Sequence, residues 1–272
     1  MTDFRFVADI GAGRPLVLLH GWSAHGGFFA AQHALASAGY RLLVPDLPGH
    51  GRDRRPGAAL TIAGLAAGLD RFLAARDLSE VVLVGWSMGA IVAFDYLAAR
   101  GTGRVAGLVV VDMTARIVND EGWNLGLATG LGPAGAERAA VAMQRDWPRY
   151  ARRIAPSFFA PGLGADHPLA VFAEMAVADN DPDTLAGLWR SLAAVDHRET
   201  VGRLDLPCLV VAGAESQLYR PAATAWLADT LPRGRLLALP GAGHTPHLEQ
   251  PSAFNAALAA FAELCRAEGV RA

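Results

Sequence analysis

The chain has 272 residues, of which 52% are hydrophobic and 18% charged, and its formal net charge is −2. This composition buries a core and excludes a mainly disordered chain, and the near-neutral charge offers no basic surface for nucleic acid. No apolar run reaches the ~20 residues that a membrane span needs.

From Met1 to Arg14 there are acidic residues, no long apolar stretch and no small-residue cleavage site, so no secretory signal is read and a cytoplasmic location is expected. Phe4–Ala8 is expected to be an edge strand, turned by Gly11–Gly13 into the first parallel strand. Leu16–Leu19, Leu42–Val44, Val81–Val84, Leu108–Val111, Leu209–Val211 and Leu236–Leu239 are runs of strand length. They are apolar on both faces, as a parallel sheet covered by helices requires. Between them lie helical patterns. Ile62, Leu65, Leu69, Phe72 and Leu73 share one face, Ala90–Arg100 and Ser252–Glu263 behave similarly, and Pro221 and Pro251 suit first helical turns. This alternation predicts an α/β protein with a mostly parallel, doubly wound sheet.

The alternation stops after Val111. Residues 113–203 show helical stretches at Glu121–Leu131, Pro133–Ile154, Pro168–Ala178 and Pro182–Val195, and no strand run. About 90 residues are too many for one loop in a compact domain. A helical cap inserted into a core of 1–112 and 204–272 is therefore expected. The cap carries Trp123, Trp147, Phe158, Phe159, Phe172 and Trp189. Of the two cysteines, Cys208 reads as a small buried residue, and no Cys or His spacing suits a metal.

Three segments carry chemistry. Gly85-Trp86-Ser87-Met88-Gly89 follows a strand and opens a helix. A turn that tight puts Ser87 at its apex, exposed as a nucleophile, while the glycines admit neighbouring backbone. His20-Gly21-Trp22 ends the strand before it, so the N–H groups of Trp22 and Met88 are expected to form an oxyanion hole. His20 reads as a structural hydrogen-bonding residue. Gly241-Ala242-Gly243-His244 follows the last strand, and its loop suits a base near neutral pH. His247 competes for that role, but His244 lies directly after the strand. Gly11-Ala12-Gly13 precedes a strand rather than a helix and is no dinucleotide fingerprint.

In this order, Ser87 and His244 resemble the α/β-hydrolase superfamily over nearly the whole chain. Asp46-Leu47-Pro48-Gly49-His50-Gly51 and the run from Gly243-His244 to Glu249-Gln250-Pro251 match segments common in it. Within it, the pairing of His20-Gly21-Trp22 with Gly85-Trp86-Ser87-Met88-Gly89 is most similar to the carboxylesterases that cleave pimeloyl-carrier-protein methyl esters. One position departs. The resemblance implies an acid in G-x-x-D after the strand Leu209–Val211, and Ser216 stands there. Two substitutes remain open: Asp112, at the strand end that supplies the acid in some members, and Glu215, one residue from the usual place. Asp112 is favoured.

The resemblance implies a serine carboxylic-ester hydrolase that needs no metal or cofactor. An apolar acyl pocket would be lined by Trp22, Trp123, Trp147, Phe158 and Phe159, unless these aromatics only pack the cap. An acyl carrier protein is an admissible partner, met by Arg138, Arg145, Arg149, Arg152 and Arg153, although a solvated helix face is the favoured reading of these five. Lactone hydrolysis, acyl transfer and perhydrolysis use the same site. A ligand-binding or sensor protein that has lost turnover is the reading from another class, and it rests on Ser216 alone.

Overall fold

A computed structural model of the chain describes residues 4–53 and 60–269. The outermost residues of the predicted core, 1–3 and 270–272, lie outside the described residues, as does the start of the segment read for a secretory signal. The strands are β1 (Arg5–Gly11), β2 (Arg14–Leu19), β3 (Tyr40–Asp46), β4 (Val81–Trp86), β5 (Val105–Val111), β6 (Cys208–Gly213) and β7 (Gly234–Leu239). They form one sheet in the order β1-β3-β2-β4-β5-β6-β7. Only β1 is antiparallel, pairing Arg5 with Asp46 and Gly11 with Arg41. Every other pair is parallel, with Leu16 opposite Val82, Val84 opposite Val109, and Val111 opposite Val211.

Each predicted strand run falls in the sheet. Leu16–Leu19, Val81–Val84 and Leu108–Val111 are fully buried, and these are the strands covered on both faces. The exception is β7, where Leu236 is 45% exposed. Its apolar run predicts burial on both faces, but β7 closes one edge of the sheet and lacks cover on part of its length.

The first α-helices of the core are α1 (Ile62–Ala75) and α2 (Met88–Arg100). Thr61 caps α1 by accepting from Gly64 N at 3.0 Å. Residues 26–38 form a 3-10 segment that the sequence pattern did not reveal. Because the chain leaves β2 toward β3 on one side and later enters β4 on the other, the connections diverge between β2 and β4. In open parallel sheets such a divergence opens a crevice at the carboxyl ends of the strands.

Between β5 and β6 the chain is helical: α3 (Pro133–Arg145), α4 (Trp147–Ile154), α5 (Pro168–Ala178), α6 (Pro182–Ala194) and α7 (Arg198–Val201). Two predicted helices are corrected. Residues 121–131 are not a helix but a series of turns, in which Asp120 accepts from Gly122 N and Asn119 Oδ1 from Gly126 N. A Cβ at position 126 would meet the Ile117 carbonyl, so this backbone folds back on itself instead of coiling. The stretch 133–154 is two helices. Asp146 is non-helical at φ −154°, ψ 77°, and its carboxylate caps α4 by accepting from Arg149 N. Pro148, which has no N–H to give to a preceding turn, fits only in the first turn of a new helix. The chain ends with α8 (Pro221–Thr230), α9 (Pro246–Glu249) and α10 (Pro251–Gly269). No helix among the described residues is long and apolar enough to cross a membrane.

Candidate active site

Ser87 sits between β4 and α2 at φ 52°, ψ −121°, a conformation that costs energy for any residue with a Cβ. The turn is held on both sides. Ser87 N donates to Val111 O at 3.0 Å, and a Cβ at Gly89 would meet the Leu19 carbonyl. The backbone of β2 therefore passes against the first turn of α2. Across the crevice, the loop after β2 presents Gly21 and Trp22. Neither Trp22 N–H nor Met88 N–H has a hydrogen-bond partner among the described residues.

Asp112, at the end of β5, is also left-handed, with φ 44°. Its N–H donates to Val211 O, and its Oδ1 accepts from Gly213 N at 3.2 Å, which pins the carboxylate between β5 and β6. Asp112 Oδ2 lies 2.7 Å from His244 Nδ1, and both side chains are buried. The same oxygen accepts from Ser216 Oγ at 2.6 Å. Glu215 points elsewhere: it is exposed. The loop bearing His244 is tied down as well. Trp86 Nε1 donates to His244 O at 2.8 Å, and Glu249 accepts from Gly243 N, Ala160 N and the Thr245 hydroxyl.

Ser87 and His244 open into one cavity of about 680 Å³. It lies between the carboxyl edge of the sheet and the helices α3, α4 and α6. Trp22, Trp86, Phe158, Trp189 and Tyr219 contribute aromatic walls, while Arg138 and Arg153 stand at its exposed side. Three expected pocket residues are corrected. Trp123 packs edge-on against Trp226 of α8 at 4.8 Å, away from the cavity. Trp147 supports the Trp22 ring from behind at 6.0 Å and donates to Ala178 O. Phe159 is buried beneath the wall, with its carbonyl accepting from Gln217. Each packs the insertion onto the core, as aromatic residues in a helical layer usually do. Arg145, Arg149 and Arg152 are exposed and do not reach the cavity.

The chain matches the model of the alpha/beta hydrolase family over residues 16–257. The chain belongs to the alpha/beta hydrolase family. A pimeloyl-[acyl-carrier protein] methyl ester esterase of Chromobacterium violaceum is 31% identical over 258 residues, covering 95% of this chain and 98% of the relative. Among solved structures, an esterase from a Rhodococcus species is 30% identical with a TM-score of 0.78, covering 97% of this chain and 99% of that one. A thermophilic esterase from Thermogutta terrifontis is 25% identical with a TM-score of 0.83, covering 96% and 97%. The resemblance read from the motifs and the expected α/β-hydrolase fold are both borne out.

Three further histidines of this hydrolase are buried and uncharged. His20 Nε2 accepts from Leu47 N at 2.9 Å, so its Nδ1–H donates to Gly21 O at 2.8 Å, and the ring is neutral. His50 Nε2 accepts from Ser23 N at 3.2 Å. His247 lies among Phe29, Trp86 and Phe254, and neither of its ring nitrogens finds a partner among the described residues. Burial pushes all three down to about 3. Sequence reasoning missed Tyr219 and the contact of Ser216 with Asp112. A serine in the usual place of an acid was the signal for the latter.

Proposed function

We propose that this hydrolase cleaves a carboxylic ester through an acyl-enzyme on Ser87. The observation that carries the reading is that Ser87 and His244 line one apolar cavity with Trp22, while Asp112 is buried against His244 and the N–H groups of Trp22 and Met88 have no partner among the described residues. His244 Nε2 takes the hydroxyl proton as Ser87 Oγ attacks the acyl carbonyl. The N–H groups of Trp22 and Met88 hold the oxyanion. Asp112, held by Gly213 N–H and Ser216, orients His244 and balances the imidazolium charge; Glu215 takes no part. His244 then gives its proton to the leaving alcohol. Water, deprotonated by the same ring, releases the carboxylic acid and restores Ser87.

Residues 113–203 act as the lid that shapes the acyl pocket. The apolar walls suit a hydrocarbon acyl chain, and Arg138 and Arg153 at the exposed side suit an anionic group beyond it. An acyl chain tethered through a phosphopantetheine arm to an acyl carrier protein joins both features, in keeping with the relative from Chromobacterium violaceum. The test compares kcat/KM for a carrier-tethered acyl methyl ester with that for the free methyl ester. A preference for the tethered ester, lost in the Arg138→Ala/Arg153→Ala variant, is expected. Equal values for the two esters in the wild type would contradict the tethered substrate.

A further inference from the structure

The loop after β2 passes directly beside the nucleophile: a Cβ on Gly21 would lie 3.2 Å from the Cβ of Ser87. Residues 21–24 form a tight turn, closed where Ala24 N donates to Gly21 O at 3.3 Å. The third residue of that turn, Ser23, has φ 60°, a value that favours glycine and costs a serine energy. Such a turn keeps its shape only if its surroundings hold it. Core groups hold one side. Gly21 O, which shares its peptide plane with Trp22 N–H, accepts from His20 Nδ1 at 2.8 Å, and Ser23 N donates to His50 Nε2. The insertion holds the other side. Asn180, between α5 and α6, donates through Nδ2 to Ser23 O at 2.9 Å, and Trp22 Nε1 donates to Leu185 O of α6 at 3.0 Å. Trp22 N–H, at the centre of the turn, has no partner among the described residues.

We propose that Asn180 is a positioning residue for the oxyanion hole. Its bond to Ser23 O, with the bond of the Trp22 indole to Leu185 O, holds the turn that aims Trp22 N–H, so the hole is set only when the insertion is seated on the core. The proposal rests on the ester-hydrolase reading. Asn180 has a local role as well, since the same nitrogen donates to Ala176 O and Val177 O at the end of α5. Those two carbonyls match the two hydrogens of a side-chain amide, so capping α5 does not require a third contact. The third contact leaves the insertion and reaches the carbonyl of the residue with positive φ. Without it, Ser23 is free to relax, the bond from Ala24 N to Gly21 O opens, and the peptide plane that carries Trp22 N–H turns. An oxyanion-hole donor acts through its direction, which must fit the tetrahedral oxygen before the reaction begins.

The test replaces the carbonyl oxygen of a p-nitrophenyl ester by sulfur and takes the ratio of kcat/KM for the ester to that for the thionoester, in the wild type, Asn180→Ala and Trp22→Phe. Sulfur is a weaker acceptor on a longer bond, so N–H groups set for oxygen favour the ester beyond its preference in hydroxide hydrolysis. A loss of folded enzyme lowers both rates alike and leaves the ratio unchanged. Asn180→Ala is expected to lower kcat/KM for the ester about tenfold, less than the roughly 10²–10³ that losing a donor outright costs, and to lower the ratio by nearly the same factor. Trp22→Phe, which keeps a ring but not the Nε1–H, should lower the ratio as well. The wild-type ratio in Asn180→Ala would overturn the proposal, whatever the rate, and the wild-type ratio in Trp22→Phe would overturn the share given to the indole. A wild-type ratio no greater than that of hydroxide would overturn it too, because no hole fitted to oxygen would then exist. The ester-hydrolase reading fails on a different result: no turnover of the ester by the wild type, or turnover retained in Ser87→Ala.

Discussion

At the scale of single residues, two side chains carry backbone strain that the rest of the molecule must hold in place. Ser87 and Asp112 end adjacent parallel strands, and both have positive φ without being glycine. Left-handed backbone lifts each side chain above the strand end instead of along the sheet face. Asp112→Asn is expected to lower kcat by roughly 10³–10⁴, because an amide favours the wrong imidazole tautomer. Glu215→Gln should stay within twofold of the wild type, since Glu215 is exposed and no hydrogen bond ties its side chain to His244. Steady-state kinetics of the two variants check both statements. Ser87 and His244 were legible in the sequence because each follows a strand run in a short glycine-flanked segment. Asp112 was legible through its place at the end of the strand after the nucleophile, together with the absence of an acid at 216. Tyr219 was not, because its place in the cavity wall is set by the course of the loop after β6, which no local apolar pattern encodes.

At the scale of elements, the strands were legible and part of the insertion was not. Buried strands of a parallel sheet are continuous apolar runs, and such runs need no tertiary information to be seen. Residues 121–131 carry helix-forming residues, yet Asp120 and Asn119 capture backbone N–H groups and turn the chain. Several cap aromatics were assigned to the pocket because sequence gives their number and not their direction. Glu249 shows what joins the insertion to the core. Its carboxylate accepts from Gly243 N on the His244 loop and from Ala160 N in the insertion. Glu249→Ala leaves both donors without a partner and should cost about 2–4 kcal/mol of stability, since bonds to a charged acceptor are worth more than neutral ones. It should also lower kcat, as the His244 loop loses its tether. Urea unfolding and kinetics on the same sample measure the two effects.

At the scale of the whole molecule, buried neutral histidines set the acid side of stability. His20, His50 and His247 are held near 3 by burial, against about 6.5 in an unfolded chain. Between those values the unfolded chain binds protons that the native state does not, so native stability falls as pH falls. Above pH 6.5 both states leave these rings neutral, and this contribution is fully present. The Tm is therefore expected to be highest above about pH 6.5 and to fall steadily toward pH 4. His247→Phe removes two unpartnered nitrogens from an aromatic nest and should flatten that fall without lowering Tm at pH 7.5. Thermal melts of both proteins across this range measure the slope. An unchanged slope would mean that His247 does not titrate on unfolding.

The central claim, a covalent acyl intermediate on Ser87, is tested most directly by a stopped-flow trace with p-nitrophenyl esters of graded acyl length. The account predicts a burst of p-nitrophenol equal to the enzyme concentration, greatest in rate for an acyl chain that fills the cavity of about 680 Å³, and absent in Ser87→Ala. Turnover retained in Ser87→Ala would contradict it.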